Sequence, residues 1–397
     1  MTSQEEPKIE GTLLSWRNLE SDFQKEMNTQ AKMGSNRKAH PLGASNGFIS
    51  TCFLIEFDWE LGDRHLPKQA ILKMVECDRL QSQADNLGDV DDVFSDTEFT
   101  FLRRVSKEKD FQKAVPLPQF FCGRKFGLNG LNAGYVLIEY FENIHSRHIY
   151  HIIPESGVLQ IIQILAKMGA FSLRNPKFVA EFDEKLLAET MADYAHPEKL
   201  HRFLDTLLVK FPEKKSEIET LRTQTKYFYN IDDYFKRMSS TSKVNMLTHG
   251  DLWPGNILWQ KRRRTEESNG EFTVKAIVDW QLTHHGTPLE DLARFLPTAL
   301  SGKEYKNNRD KYLLTYWQEL QKEARGLQLP WDTFDELIKQ YELVLPLVII
   351  VYTPLFVEMI DHSTNGKNLS QKDLNVYYEK IRVTLDEAAS CIRKWKL

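Results

Sequence analysis

The segment Leu247–Trp259 reads LTHGDLWPGNILW, and Ala276–Gln281, a little further on, reads AIVDWQ. NILWQ has the composition of a strand, the charged run that follows is a turn, and FTVKAIVDW returns as a second strand. On such a hairpin Asp251 and Asn256 sit in the turn entering the first strand and Asp279 ends the second, so three oxygen-bearing side chains converge on one mouth. That is a layout suited to phosphoryl transfer. A carboxylate there can orient and accept the proton of an attacking hydroxyl, and a hard cation such as Mg²⁺ wants oxygen ligands while it bridges nucleotide phosphates. Asp251 fits the base, and Asn256 and Asp279 fit the metal. Asp, Gly and Asn also gather in turns for backbone reasons alone. Five identities falling together, His249, Gly250, Asp251, Asn256 and Asp279, favour the functional reading.

Outward from this hairpin the rhythm changes twice. From about Phe48 to Tyr140 the chain is β-rich: FISTCFLIEFDW alternates, and QAILKMVEC and AGYVLIEYF are two further strands, with the helix-like DTEFTFLRRVSKEK between them. From Pro154 onward VLQIIQILAKMGAFSL, the run Lys199–Arg237 and NVYYEKIRVTLDEAASCIRKW are spaced as amphipathic helices. The expected class is α+β, with a smaller β-rich part carrying one main helix over 1–142 and a larger, mainly helical part over 143–397.

Composition sets the limits of function. With 41% hydrophobic and 11% aromatic residues in 397, the chain is globular and long enough for more than one folding unit. Fifty-two basic against 56 acidic residues leave a formal charge of -4, without the basic footprint a nucleic-acid partner requires. Cys52, Cys77, Cys122 and Cys391 form no CxxC pair and read as free thiols. MTSQEEPKIEG at the start is polar and acidic, unlike a signal peptide. The apolar run Leu343–Val357 has 15 residues and two prolines, short of the roughly 18 to 20 that span a bilayer. A cytoplasmic protein with no membrane span, monomeric or weakly dimeric, is expected.

HGDLWPGN, IVDWQ and GTPLEDLARF together resemble the core shared by choline kinases and aminoglycoside phosphotransferases, and more narrowly the ecdysteroid-kinase-like, or CHK-kinase-like, family. NGFIS, ILKM, LIEYFENIHSRHIY and LSGKEY extend the likeness from about Leu42 to the C-terminus. The resemblance implies a bilobal protein-kinase-like fold, ATP and Mg²⁺ as cofactors, and a small-molecule hydroxyl acceptor. It makes Asp251 the catalytic base and Asn256 and Asp279 the magnesium ligands. His249 and Asp291, the latter in LEDLA, would be structural neighbours of the site. Lys73 in ILKM resembles the lysine that meets ATP phosphates, and Glu98 is its candidate partner, with Asp96 as competitor. GASNGFIS, with Gly43, Ser45, Asn46 and Gly47, sits where a phosphate-covering loop would be, though it departs from a full GxGxxG. Glu139, Tyr140 and Phe141 fall where backbone groups would meet the adenine edge.

Other features read more plainly. His284 and His285 lack a third ligand at metal-binding spacing, and Lys261–Arg264 is the solvated tip of the hairpin. The Leu343–Val357 run reads as a buried helix, and Glu358 and Asp361 just after it are the acidic residues to watch for substrate contact, against the plainer reading of a solvated helix end. A protein kinase is disfavoured because Gly250 stands where that family has Arg and no APE-ended activation segment follows Asp279. A silent pseudokinase is the other alternative. Trp, Tyr, Phe and acidic residues of the helical part suffice for a choline cage, an acidic sugar cleft or a steroid slot, so the acceptor stays open.

Overall fold

The computed structural model describes residues 7–42, 50–60, 65–76, 91–182, 195–261, 272–362 and 369–397. The chain divides into two units, Met1–Lys109 with Leu117–Glu142, and Asp110–Pro116 with Asn143–Leu397. The proposed phosphate loop residues Gly43, Ser45, Asn46 and Gly47 lie outside the described residues, as do Cys77 and Arg262–Arg264.

The first unit runs α1 (Trp16–Met27), β1 (Lys38–Leu42), β2 (Thr51–Glu56), β3 (Gln69–Glu76), α2 (Asp91–Val105), β4 (Phe120–Arg124) and β5 (Ala133–Glu139). The strands form one antiparallel sheet in the order β1-β2-β3-β5-β4. Strand alternation sorts the two faces. Ala70, Leu72 and Met74 of β3 bury with Trp16, Leu19 and Phe23 of α1, so Lys73 between them turns to the opposite face. There α2 packs, and Gly123 of β4 lets it come close: a Cβ at that position would lie 2.6 Å from the Tyr135 carbonyl oxygen and 2.8 Å from the Phe99 ring.

The second unit begins with α3 (Lys109–Ala114), whose Phe111 packs edge-on against Phe171 at 5.1 Å between ring centres. It continues with β6 (Ile144–His145), α4 (Glu155–Arg174), α5 (Pro176–Val179), α6 (Pro197–Lys210), α7 (Lys215–Arg222), α8 (Ile231–Met238), β7 (Met246–Thr248), β8 (Ile257–Lys261), β9 (Phe272–Ile277), β10 (His284–Gly286), α9 (Leu289–Ala299), α10 (Gly302–Glu323), α11 (Phe334–His362) and α12 (Gln371–Trp395). The run expected as one helical stretch from Lys199 to Arg237 is three helices. Pro212, which cannot extend the ladder of a preceding helix, separates the first from the second, and a 3₁₀ segment, Thr223–Phe228, separates the second from the third. β8 and β9 form the expected hairpin, with Ile257 opposite Ile277, while β7 pairs with β10, Thr248 opposite His284.

Every residue of α9 is buried, the mark of a helix enclosed on all sides, and it packs against α11. Two helices are long and apolar enough to cross a membrane by length and composition, Glu155–Arg174 and Phe334–Ile360. In the second, 83% of the most apolar window is buried within the structure, as in the core helix of a folded unit. α11 is longer than the apolar run because its first turns, from Phe334, are polar and still helical.

Candidate active site

The loop from β7 to β8 is held almost wholly by side chains. Asp291, in the first turn of α9, accepts the backbone N–H of His249 at 2.9 Å and of Gly250 at 3.0 Å, one on each carboxylate oxygen. The His249 ring accepts the Asp251 N–H at Nδ1, 3.1 Å, and meets the Val278 carbonyl at Nε2, 3.0 Å. Those partners require the tautomer protonated at Nε2. His249 thereby ties the β7 loop to the end of β9, and the Asp251 carboxylate is set between them.

Gly250 is required where it stands. Its φ is +81°, and a Cβ there would lie 2.1 Å from the Leu282 carbonyl oxygen. A side chain such as the Arg of protein kinases is excluded by this backbone. Gly250→Ala should cost about 1–3 kcal/mol from backbone strain alone, with the clash added. An unfolding midpoint in urea unchanged from wild type would refute that.

Asp251 is mostly enclosed, its side chain 18% exposed. Arg294 Nη1 donates to its Oδ1 at 2.9 Å and Asn256 Nδ2 to its Oδ2 at 2.9 Å. Asn256 Nδ2 also donates to the Asp251 carbonyl at 2.9 Å, so Oδ1 is the end of Asn256 that a cation can use. Burial pushes the Asp251 carboxyl up to about 6, against the pull of Arg294, and the nearby Asp279 carboxylate adds to the rise. A base poised near neutrality is suited to proton transfer.

Asp279 holds a left-handed backbone, φ 68°, uncommon for any residue but glycine. Anchors on both sides sustain it: Val278 donates its N–H to the Asn256 carbonyl at 3.0 Å, and Trp280 Nε1 donates to the Ile277 carbonyl at 3.0 Å. Among the described residues no three His, Cys, Asp or Glu side chains gather as a metal cage. Asn256 and Asp279 are instead a sparse, all-oxygen donor set, which fits Mg²⁺ because that ion takes one or two carboxylates and completes its shell with phosphates and water.

Arg294 was not singled out by sequence reasoning, although it stands three residues after Asp291 in the quoted GTPLEDLARF. Its guanidinium lies over the Tyr352 ring at 3.2 Å from the centre, hydrogen-bonds the Gly250 carbonyl as well as Asp251, and faces Glu290 at 3.6 Å. Glu290 in turn meets His284 Nε2 at 3.3 Å. Burial works against the charge on His284, but Glu290 outweighs it and raises the imidazole's proton affinity. His284 is thus a buried partner of Glu290, and His285 donates its N–H to the Phe182 carbonyl at 2.8 Å.

In the first unit Lys73 Nζ lies 2.6 Å from Glu98 Oε2, and both side chains are largely buried. The competitor Asp96 is engaged elsewhere, accepting the Phe126 N–H at 2.8 Å and facing Lys125 at 3.7 Å. Glu139, Tyr140 and Phe141 follow one another at the end of β5. The Glu139 N–H donates to the Gln119 carbonyl at 2.9 Å, so that amide is committed to the neighbouring chain rather than to a base. Glu358 is half-buried in α11 and favours the charge on Lys199, whose proton affinity burial lowers; the Asp361 side chain lies outside the described residues.

A curated relative from Caenorhabditis elegans, named uncharacterized oxidoreductase dhs-27, is 20% identical over 304 residues, which are 73% of this chain and 35% of that protein. The chain spans about a third of the length of that relative. Similar solved structures include choline kinase from Cryptosporidium parvum Iowa II, at 9% identity and a TM-score of 0.46 over 90% of this chain and 93% of that one. The microcompartment-associated aminopropanol kinase is 14% identical, TM-score 0.42, over 94% and 96%. An aminoglycoside-3'-phosphotransferase of type VIII is 13% identical, TM-score 0.40, over 78% and 93%. The family model described as DUF1679, uncharacterized oxidoreductase dhs-27, matches residues 9–392, and the chain belongs to that family, the ecdysteroid-kinase-like one that its HGDLWPGN, IVDWQ and GTPLEDLARF segments resemble.

Proposed function

We propose that the chain is an ATP-dependent kinase that transfers the γ-phosphoryl group to a hydroxyl of a small organic molecule. The observation that carries this reading is the Asp251 carboxylate, enclosed, raised in proton affinity and fixed at both oxygens by Arg294 and Asn256, with Asp279 beside it. Each carboxylate oxygen keeps a second lone pair, so Asp251 can still accept the proton of an acceptor hydroxyl. Asn256 and Asp279 would hold magnesium, which supplies charge neutralisation on the transferred phosphoryl group. Lys73, oriented by Glu98, would meet the nucleotide phosphates. A cytoplasmic setting is part of the proposal, supported by the buried thiols of Cys122 and Cys391. The oxidoreductase name belongs to a relative about two thirds of which lies outside the match.

Incubating the purified protein with Mg-ATP and a cell extract, then searching by mass spectrometry for metabolites that gain a phosphate, tests this reading. The Asp251→Asn protein serves as control. A second test is Lys73→Met, which should weaken nucleotide binding by about tenfold or more, the loss expected of a charge-assisted contact. Equal ATP affinity in calorimetry would remove Lys73 from the site.

A further inference from the structure

Three enclosed carboxylates, Asp251, Glu290 and Asp291, lie near the Arg294 guanidinium. Asp291 spends both oxygens on the N–H groups of His249 and Gly250, so Asp251 and Glu290 are left to share one cation. A buried carboxylate with only part of a partner is costly. His284, 2% exposed, is the second cation that this arrangement needs. Its Nε2 faces Glu290 Oε2 at 3.3 Å, and its Nδ1 faces the Leu282 carbonyl oxygen at 2.9 Å. Both ring nitrogens meet acceptors, so both carry protons and the ring is an imidazolium. The ring's raised proton affinity agrees: burial opposes the charge, and Glu290, the Leu282 carbonyl and Asp291 together overcome it.

The two ends of the Glu290 carboxylate are unequally engaged. Arg294 Nη2 stands 3.6 Å from Oε1, within reach of an ion pair but too far for a hydrogen bond, and that nitrogen is buried with no hydrogen bond at all. Nη1, by contrast, donates to Asp251 Oδ1 at 2.9 Å and to the Gly250 carbonyl. Glu290 leans toward His284, and the guanidinium leans toward Asp251. A small rotation of Glu290 would bring its Oε1 onto the idle Nη2. Gly286 keeps the imidazole where it prevents this, since a Cβ there would lie 2.6 Å from the ring Nε2 and 2.8 Å from Cδ2. An ordinary buried pair would tie His284 of β10 to Glu290 in the first turn of α9 and do no more. Here the carboxylate's other oxygen faces the guanidinium that fixes Asp251.

We propose that His284 is a positioning residue for the Asp251 base: it holds Glu290 back from Arg294, so that the guanidinium stays on Asp251 and the Gly250 carbonyl. The proposal rests on the kinase reading above. Without the imidazolium, Glu290 turns onto Nη2 and competes for Arg294. Asp251 then loses the contact that fixes its Oδ1, while Asn256 still holds Oδ2. The reacting carboxylate is misplaced although no residue that touches substrate has changed.

His284→Leu should lower kcat on a verified acceptor about tenfold to a hundredfold, the effect of a misplaced reacting group, with KM for ATP and for the acceptor within about twofold of wild type. Adding Glu290→Gln removes the competing charge, and the double variant should recover most of the loss. If the pair were only structural, a second buried substitution would compound the damage. Should His284→Leu fail to fold, Gly286→Ala keeps the imidazole but displaces it, and it should show the same loss and the same recovery. Urea unfolding of His284→Leu, Asp251→Asn and their combination needs no substrate. The combination should fold about two- to tenfold more favourably than the product of the single effects on the equilibrium constant. No recovery of kcat by Glu290→Gln, or independent effects at 284 and 251 on unfolding, overturns the proposal. Coupled unfolding in a protein that phosphorylates no acceptor would instead sink the kinase reading and leave the hold of His284 on Asp251 standing.

Discussion

Asn at position 251 should lower kcat about 10²- to 10⁴-fold, the usual contribution of a general base, and should at the same time make the protein more stable above pH 6. The two effects share one cause. Burial first, and Asp279 second, raise the Asp251 carboxyl to about 6 from an ordinary 3.8, while Arg294 and Asn256 hold it from rising further. Below about pH 4 the group carries its proton in the folded and the unfolded chain alike. Between about 4 and 6 the unfolded chain releases the proton and the folded one retains it, so stability falls as pH rises. Above 6 that loss is complete, about 1–3 kcal/mol at 1.36 kcal/mol per unit. Asn titrates nowhere, so the variant lacks this limb. Asp291, raised chiefly by burial to about 7, keeps a second limb in both proteins. Urea unfolding at several pH values and turnover on a verified acceptor check the pair of effects. Near wild-type turnover would dismiss Asp251 as the base.

Much of this arrangement was legible in the sequence. The hairpin and the meeting of Asp251, Asn256 and Asp279 follow from strand composition and from the turn before β8, because those signals are local. Lys73 was a candidate from its place on an apolar strand and its likeness to the lysine that meets ATP phosphates, and Glu98, in the helix-like segment with Asp96 as competitor, is the residue it meets. β1 escaped notice because Lys38–Leu42 is an exposed edge with Pro41 and no alternation. β4 escaped because FFCGR is buried nearly throughout and has no period. α1 could have been found, with Ser15 as N-cap and Trp16, Leu19 and Phe23 on one face. Arg294 is a different matter. Its importance lies in contacts to residues more than forty positions earlier, Gly250 and Asp251, and no local pattern distinguishes it from a solvated helix arginine.

Arg294→Met should cost about 3–5 kcal/mol of stability, because it leaves the buried Asp251 carboxylate facing no cation. Glu290 keeps His284 at 3.3 Å, so the uncompensated charge falls chiefly on Asp251, and the Gly250 carbonyl loses its donor. With the guanidinium gone, one of the forces that lower the Asp251 proton affinity disappears, and the acid limb of the kcat/KM profile should move to higher pH. A merely structural arginine would reduce the folded fraction without moving that limb. Combining Arg294→Met with Asp251→Asn separates the possibilities further. If the stability cost is mainly an orphaned carboxylate, a neutral Asn at 251 removes much of it, and the double variant should be more stable than the sum of the two by about 0.5–3 kcal/mol. Strict additivity would mean that Arg294 acts through its stacking on Tyr352 and the Gly250 carbonyl, with no electrostatic hold on the base.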